Sequence, residues 1–569
     1  MKFDAYSMKK ILLLDLLVIL SIVIVLPLVL DLFSLNIKVL TISIIGNLLI
    51  ISTIIITAVD FFYLLRFRRN FYFLSSLSMS FTIALFFLLE YCFLNDYYDF
   101  FYVWSYSKST LPLIYKFVAI WAGEAGSIMT WMLFNSIIIF FYRLNNQNKE
   151  DIIFRLSVII SLLISTIFLI ILFSYDAFRI QTPLIFPNGL GLNPLLISPF
   201  MIWHPLFTFI AYAIFLIPFT ISIIEIIKPN ISLENPYQKS FNNFSIKFGW
   251  LVLTIGIGLG AYWAKIALTW GRYWGWDPVE TVSLVPWFFS TAYFHTMTFK
   301  KKNSRIIKIN VILIFLSIIF STLITRGGGL TSLHAFTGEN NLVIWTLIVG
   351  SALIIFSLYI IYNSLNSLSE EYKKTKLFLD YLSYLFLFML AFVCVFGLFV
   401  TPLSFSLSYF FSLNIILVGS DFFIITTLVL ASGLAITLIY CSLYGIYKLK
   451  WITVVILTVI LIQSILSLLT FLLSTFWINP LIAIFFLALL ISIFKLIKDF
   501  DSKKGIKHYF RINSKTYVHT GLSLVLIGTL IDPGAWLFQD IFYISGFIFL
   551  ISGIIPSLLI LFFLKKDRV

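Results

Sequence analysis

The chain has 569 residues, of which 61% are hydrophobic and 11% charged, and its mean hydropathy is +1.04. Soluble domains of this size do not have such a composition, which excludes a soluble protein. A formal net charge of +14 would fit a nucleic-acid-binding protein only if the charges were clustered on one surface.

Apolar runs of about 20 residues, the length that crosses a bilayer, recur along the whole chain. In chain order we place them near 11–31, 39–65, 71–94, 125–142, 153–174, 201–226, 248–264, 284–299, 309–325, 342–363, 378–400, 420–443, 451–474, 478–497, 517–531 and 541–564. Each span must satisfy its own backbone groups, so the predicted fold class is all-α, a polytopic membrane helix bundle of about 14–16 transmembrane helices in one domain over 1–569. The first run has no small-residue cleavage site and is predicted to be a retained span rather than a signal peptide.

Basic residues are unevenly distributed between alternate connections. With the N-terminus inside, all but seven of the 39 Lys and Arg residues lie in predicted inner segments. The exceptions are Lys38, Lys108, Lys116, Arg179, Lys265, Arg272 and Arg326. This positive-inside bias predicts cytoplasmic termini in a multi-pass plasma-membrane protein and explains the net charge without nucleic acid. The three cysteines, Cys92, Cys394 and Cys441, form no C-x-x-C motif and are predicted to be structural, without attached c-type haem.

Residues 263–287, here called the tryptophan segment, follow a predicted span on the outer side. The segment holds five of the fourteen tryptophans: Trp263, Trp270, Trp274, Trp276 and Trp287. Asp277-Pro278 is expected to interrupt any helix within it. Two interpretations fit this density: an aromatic shelf for a large flat ligand, or the interfacial belt of tryptophan and tyrosine that is typical of membrane proteins.

Four of the five histidines form two predicted pairs, and the fifth belongs to neither pair. His204 and His334 lie on the outer side, before and after the tryptophan segment, and His334 is in the Gly-rich outer loop 326–341. His295 and His519 lie at membrane depth toward the inner side, while His508 is in a basic inner loop and is predicted to be solvated. Two facing imidazoles form an axial ligand set for haem iron. Hydrogen-bonded interfacial histidines and a quinone site remain alternatives, whereas zinc would need a closer ligand cluster.

Several segments resemble the CcmF-type cytochrome c haem lyases, members of the haem-handling superfamily with a tryptophan-rich WWD segment. In chain order they are 121–131 (WAGEAGSIMTW), 192–196 (LNPLL) with His204-Pro205, 270–280 (WGRYWGWDPVE) with Pro286-Trp287, 326–336 (RGGGLTSLHAF) and 518–522 (VHTGL). The resemblance extends from about residue 113 to 531. The WWD and LTSLHAF segments are its specific parts, and the others support them.

The resemblance assigns a role to each matched residue. His204 and His334 match the outward ligands of a substrate haem, which the tryptophan segment shields, and His295 and His519 match the ligands of a permanent haem b. Trp270, Trp274, Trp276 and Asp277 are the predicted catalytic platform. Arg272, with Lys265 or Arg326 as alternatives, is a candidate partner of the haem propionates, although ordinary interfacial cations would look the same.

The implied reaction is thioether formation between haem vinyl groups and the C-x-x-C-H thiols of an apocytochrome c. A haem chaperone and other cytochrome c maturation subunits are the expected partners, and the inner haem b would relay electrons, with quinol as a possible source. The chain departs from the family pattern at three places. It has Glu124-Ala125 where the family has His-Glu, Leu206 where the family has the second proline of its H-P-P motif, and only a short outer connection at 532–540 where many members carry a sizeable outward domain. Alternative functions are a haem exporter or cytochrome c synthase of the same superfamily, a quinone-linked ion transporter using Asp60 or Glu90, and a structural scaffold.

Overall fold

A computed structural model describes residues 35–68, 70–144, 151–181, 188–229, 236–267, 271–296, 304–326, 343–366, 376–444, 446–472, 482–500, 506–531 and 536–563. All elements of regular structure within these ranges are helical, which confirms the predicted all-α class. Ten helices among these residues are long and apolar enough to cross a membrane, as a polytopic bundle requires. The predicted span 11–31 and both chain termini lie outside the described residues, so the cytoplasmic position of the termini stays a prediction.

The contacts divide the chain into two compact units, Met1–Ser245 and Ile246–Val569. The single transmembrane domain expected from the sequence stays a prediction. The helices of the first unit are α1 (Leu35–Phe67), α2 (Tyr72–Leu94), α3 (Phe101–Tyr106), α4 (Leu113–Val118), α5 (Glu124–Leu144), α6 (Ile152–Ser174), α7 (Phe200–Ile214) and α8 (Leu216–Ile227). Helix α9 (Pro236–Ala267) begins in this unit and ends in the second.

An ion pair is buried in the first unit, where α1 packs on α2 and α6, and α5 packs on α2, α6 and α7. The Arg143 guanidinium on α5 pairs with the Asp60 carboxylate on α1, and both side chains are almost fully buried. Arg143 also donates to Asn70 Oδ1 at 2.9 Å and to the Phe71 carbonyl at 3.0 Å. The arginine therefore joins α1 and α5 to the connection between α1 and α2.

The second unit contains the remaining helices. They are α10 (Pro278–His295), α11 (Ser304–Arg326), α12 (Val343–Asn366), α13 (Lys376–Phe411), α14 (Ser420–Leu443), α15 (Leu449–Leu472), α16 (Ile482–Lys498), α17 (Ile506–Leu530) and α18 (Trp536–Phe563). Helices α17 and α18 pack very closely because glycines lie at their contact. A Cβ on Gly521 would come within 2.6 Å of the Gly546 carbonyl oxygen, so no larger residue fits without a shift.

Several helices extend beyond the spans predicted from hydropathy, and two of them carry proposed haem ligands. Helix α10 begins at Pro278 rather than near 284, and α17 begins at Ile506 rather than near 517. The first turns of α17 contain Lys507 and Arg511, which hydropathy assigns to a polar loop although they do not prevent a helix. As a result, His519 lies in the middle of its helix and not at its start.

Candidate functional site

Two histidines of the second unit face each other. His295 is the last residue of α10, and His519 lies in α17, 224 positions later in the sequence numbering. Their ring centroids are 6.5 Å apart and the ring planes differ by 8°. Two ring nitrogens that bind one metal ion at about 2 Å each lie about 4 Å apart. Ring centroids 6.5 Å apart are compatible with that spacing when a nitrogen of each ring is directed toward the other ring.

Helix α10 is held against α9 by two reciprocal tryptophan–threonine hydrogen bonds. Trp250 Nε1 donates to Thr291 Oγ1 at 2.8 Å, and Trp287 Nε1 donates to Thr254 Oγ1 at 2.9 Å. The two indoles also stack on each other, with centroids 6.2 Å apart. These bonds satisfy both buried N–H groups and restrict the helix that carries His295. Sequence reasoning did not find this role, because the threonines belong to no motif.

Trp274 and Trp276 are neighbours in the tryptophan segment, but they do not form one flat surface. Their ring centroids are 6.2 Å apart and their planes differ by 81°. One face of Trp276 is covered by Phe423 of α14, which lies parallel to it at 6.0 Å. Trp276 also has a positive φ of 57°, a conformation that only surrounding contacts can maintain for a bulky residue. The two indoles therefore cannot both lie flat against one planar ligand.

Asp277-Pro278 starts a helix. Asp277 is the N-cap of α10, where its Oδ2 accepts a hydrogen bond from the Val279 N–H at 3.1 Å, and Pro278 occupies the first helical turn. Glu280 Oε2 reaches back and accepts from the Gly275 N–H at 2.9 Å. These bonds fix the point where the tryptophan segment becomes α10, so Asp277 has a structural role here in addition to the predicted catalytic one.

Tyr273 is the most deeply buried described residue between 271 and 277, with 1% of its surface exposed. Its hydroxyl donates to Asp540 of α18, and Lys265 of α9 pairs with the same carboxylate. Burial and the hydrogen bond to Asp540 raise the pKa of Tyr273, so the phenol stays a protonated donor. Lys265, one of the alternative candidates for binding a haem propionate, is therefore already paired with the Asp540 carboxylate. Arg272, the first candidate, is exposed.

His204 lies in the first turns of α7, in the first unit, and is partly exposed. Trp121 Nε1 donates to the Met201 carbonyl at 3.0 Å and so ties the 121–131 segment to the turn that carries His204. Trp131, at the other end of that segment, packs on Tyr212, about two turns after His204 in α7. In the sequence, the 121–131 segment only supports the family resemblance. In the structure, its two tryptophans contact the helix that carries His204 and so help to position that helix.

Some predicted site residues cannot be placed. Trp270, His334 and most of the 326–341 loop lie outside the described residues. Arg326, the other alternative propionate partner, is the last residue of α11 and is buried, with 5% of its surface exposed. His508 is exposed on the first turn of α17, as its predicted role as a solvated residue requires.

Comparisons with known proteins agree on one group of relatives. Residues 121–334 match the family described as Cytochrome C assembly protein. NrfE of Escherichia coli strain K12, a probable cytochrome c-type biogenesis protein, is 31% identical over 44% of this chain and 46% of its own length. The cytochrome c-type biogenesis proteins CcmF of the same strain and NrfE of Haemophilus influenzae are 31% and 33% identical, and each match spans 40% of the relative. The chain therefore aligns with less than half the length of these relatives.

A solved structure shares the fold of most of the chain. It is described as Cytochrome c Heme Lyase CcmF. The superposition covers 86% of this chain and 76% of the chain of that structure, with a TM-score of 0.60 and 18% sequence identity. At this level of identity the match concerns the helical architecture.

Proposed function

We propose that the chain acts in cytochrome c maturation as a haem lyase, because residues 121–334 match the family described as Cytochrome C assembly protein and the comparisons support the resemblance to CcmF-type proteins. The observation that carries this proposal is the extent of the family match. The matched region contains the 121–131 segment, His204, the tryptophan segment, His295 and His334. All the residues predicted to hold haem, except His519, therefore lie in the part of the chain that the family shares.

In the proposed reaction, haem is the substrate and is held on the outer side of the plasma membrane by His204 and His334. The indoles of Trp270, Trp274 and Trp276 shield the macrocycle from water, and Arg272, an exposed cation in the same segment, pairs with a propionate. Each of two apocytochrome thiols adds across one haem vinyl group. The S–H bond of the thiol and the π bond of the vinyl group break, and a C–S bond and a C–H bond form, so the addition itself consumes no oxidant or reductant.

His295 and His519 are the proposed ligands of a permanent haem b. The ring separation of 6.5 Å and the near-parallel ring planes support this, since they leave space for an iron with an imidazole on each side. Such a haem would supply one-electron chemistry when bound, and the identity and burial of the two histidines that hold it would tune its potential. The Trp250–Thr291 hydrogen bond helps α10 to keep His295 in position. Quinol is the proposed electron source.

The proposed partners follow from the reaction and from the names of the relatives. A protein that joins haem to C-x-x-C-H motifs must receive haem from a chaperone and must dock an apocytochrome c. Other cytochrome c maturation subunits complete the set, since the relatives are named as biogenesis proteins of this process.

The absorption spectrum of the purified protein tests the inner site. We expect a low-spin b-type spectrum with split reduced α and Soret bands from non-covalent haem. Replacing His295 or His519 by Ala should remove it entirely, because one imidazole does not give a six-coordinate bis-histidine iron. His508→Ala is the matched control and should keep the spectrum, since that residue is exposed at the start of α17. A correctly folded protein without any haem would contradict the inner site.

The same preparation tests the outer site when the haem delivery pathway is expressed with the protein. Additional haem should copurify with the wild-type protein, and His204→Ala or His334→Ala should lower its occupancy while the spectrum of the inner haem persists. Holocytochrome yield in the same cells, measured by haem staining of the separated protein, should fall in parallel. Unchanged occupancy and yield in both variants would refute the proposed outer site.

A further inference from the structure

The tryptophan segment is attached at Tyr273 to the beginning of α18. The Tyr273 hydroxyl donates to Asp540 Oδ1, and its ring stacks on Tyr543, with the centroids 3.6 Å apart and the planes within 11° of each other. Tyr543 in turn donates its hydroxyl proton to the Gly258 carbonyl of α9 at 3.3 Å. The ring and the hydroxyl of Tyr273 are thus both held, which leaves its side chain little freedom.

Asp540 accepts from a second donor. The ammonium group of Lys265 pairs with Asp540 Oδ1 and also lies 4.6 Å from the centre of the Tyr273 ring. The side chains of Lys265 and Asp540 are 12% and 24% exposed, so the pair is largely shielded from water. One carboxylate therefore joins the end of α9, the described loop 271–277 of the tryptophan segment, and α18. We call Lys265, Tyr273, Asp540 and Tyr543 the Asp540 cluster.

The segment needs such an attachment because its own backbone does little to hold it. Gly271 and Trp276 both have positive φ values, 61° and 57°, and the chain between them forms no helical turn. Glycine adopts such a φ without strain, whereas the conformation of Trp276 persists only when neighbouring contacts enforce it. Trp274 packs against the Ala261, Tyr273 and Tyr543 cluster, so the ring stack directly supports one of the proposed haem-shielding indoles.

We propose that Asp540 is a positioning residue for the reaction: through Tyr273 and Lys265 it holds the tryptophan segment in the conformation that presents Trp274 and Trp276 to haem. This rests on the function proposed above. Asp540 lies in none of the segments that carry the family resemblance and follows Tyr273 by 267 positions. Its role becomes visible only in the folded chain.

The first unit contains a matched control for this arrangement. Asp96 accepts a hydrogen bond from the Tyr98 hydroxyl at 2.8 Å and pairs with Lys116 at 2.5 Å, so the same three residue types make the same contacts. Burial and the bond to Asp96 raise the pKa of Tyr98, as the bond to Asp540 does for Tyr273. No residue of this control cluster belongs to the tryptophan segment or to the predicted haem ligands.

The experiment uses the full chain in detergent and compares Asp540→Asn and Tyr273→Phe with Asp96→Asn and Tyr98→Phe. Hydrogen–deuterium exchange of a peptide covering 271–277 reports directly on the segment, and the spectrum of the inner haem checks the fold. We expect Asp540→Asn and Tyr273→Phe each to accelerate exchange in that peptide by about tenfold. The double variant should match Asp540→Asn, because that change removes the carboxylate partner of both Tyr273 and Lys265, whereas Tyr273→Phe removes only the first of these contacts. The control variants should leave this peptide unchanged.

Holocytochrome yield is then measured in cells that express each variant with the maturation pathway. We expect both cluster variants to lower the yield severalfold at unchanged protein level, and the control variants to keep it. Unchanged exchange in 271–277 overturns the proposal, and so does faster exchange with an undiminished yield. If the wild-type protein itself attaches no haem, the proposed function fails, and the exchange measurement still decides whether Asp540 holds the segment.

Discussion

Single residues in this protein are constrained by close approaches that sequence patterns do not reveal. Gly126 is the clearest case. The Tyr102 hydroxyl accepts from the Gly123 and Gly126 N–H groups and donates to the Ile120 carbonyl, which draws the 121–131 segment into a tight turn. A Cβ on Gly126 would lie 1.7 Å from the Ile120 carbonyl oxygen, a distance that no rearrangement of a side chain can relieve.

We therefore expect Gly126→Ala to destabilise the protein by about 1–3 kcal/mol, the usual cost of forcing an extra carbon into a filled space. Helix propensity predicts the opposite sign, because Ala favours a helix by about 1 kcal/mol over Gly. Thermal unfolding in detergent measures the difference.

Gly419→Ala is the control for this substitution, since nothing lies within 4 Å of the added carbon there. Its cost should stay below about 1 kcal/mol, as expected for Ala in place of Gly at a helix N-cap. Equal destabilisation by the two substitutions would show that the contact with Ile120 is unimportant.

At the scale of helices, polar contacts decide which helices are held together. Asp60 was one of two carboxylates that an ion-transporter interpretation would use, and in the structure it is paired with Arg143 of α5. The other, Glu90, is 2% exposed, and its carboxylate oxygens have no hydrogen-bond partner among the described residues. The Asp60–Arg143 pair gives Asp60 a structural role that needs no transported ion.

Breaking this pair from one side should be costly. We expect Arg143→Met to lower the free energy of unfolding by about 3–5 kcal/mol, because Asp60 would remain buried without its counter-charge. The double variant with Asp60→Leu should recover most of this loss, since it removes both charges together. Thermal unfolding of the single and double variants in detergent provides the measurement. A double variant as unstable as Arg143→Met would instead assign the cost to the lost bonds with Asn70 and Phe71.

On the scale of the whole molecule, the two proposed ligands of the inner haem lie in one compact unit. His295 and His519 both belong to Ile246–Val569, whereas Asp60 and Arg143 belong to Met1–Ser245. A ligand that binds only the folded state stabilises the part of the chain whose opening would release it.

Depleting haem during growth should therefore lower the thermal unfolding midpoint and speed hydrogen exchange in peptides from α10 and α17. Peptides from α1 and α5 should exchange at an unchanged rate. With ligand present at about 100 times its dissociation constant, the linkage relation gives a stabilisation of about 2.7 kcal/mol. An equal increase of exchange throughout the chain would show that the inner haem supports both units alike.

Much of the architecture follows from the sequence because its causes are local or compositional. A chain that is 61% hydrophobic with runs of about 20 apolar residues must form membrane helices, and the described residues are helical throughout their regular structure. Helix ends were harder to predict, as the early start of α17 demonstrates. Hydropathy reports which residues prefer lipid, whereas a helix continues for as long as its backbone bonds and packing allow.

The sequence by itself determined the helical membrane class, the resemblance to CcmF-type proteins and the pairing of His295 with His519, whose rings the structure places 6.5 Å apart. Composition and the distribution of charge along the chain are sufficient for the first and the last of these, and the resemblance rests on the short motifs quoted above. Only the tertiary structure decided that the Asp540 carboxylate accepts a hydrogen bond from Tyr273 and pairs with Lys265. The same is true of the hydrogen bond that ties Trp121 to the turn carrying His204, and of the nearly perpendicular planes of Trp274 and Trp276. Such contacts join positions up to 275 residues apart, and packing between distant helices leaves no periodic signal in the chain.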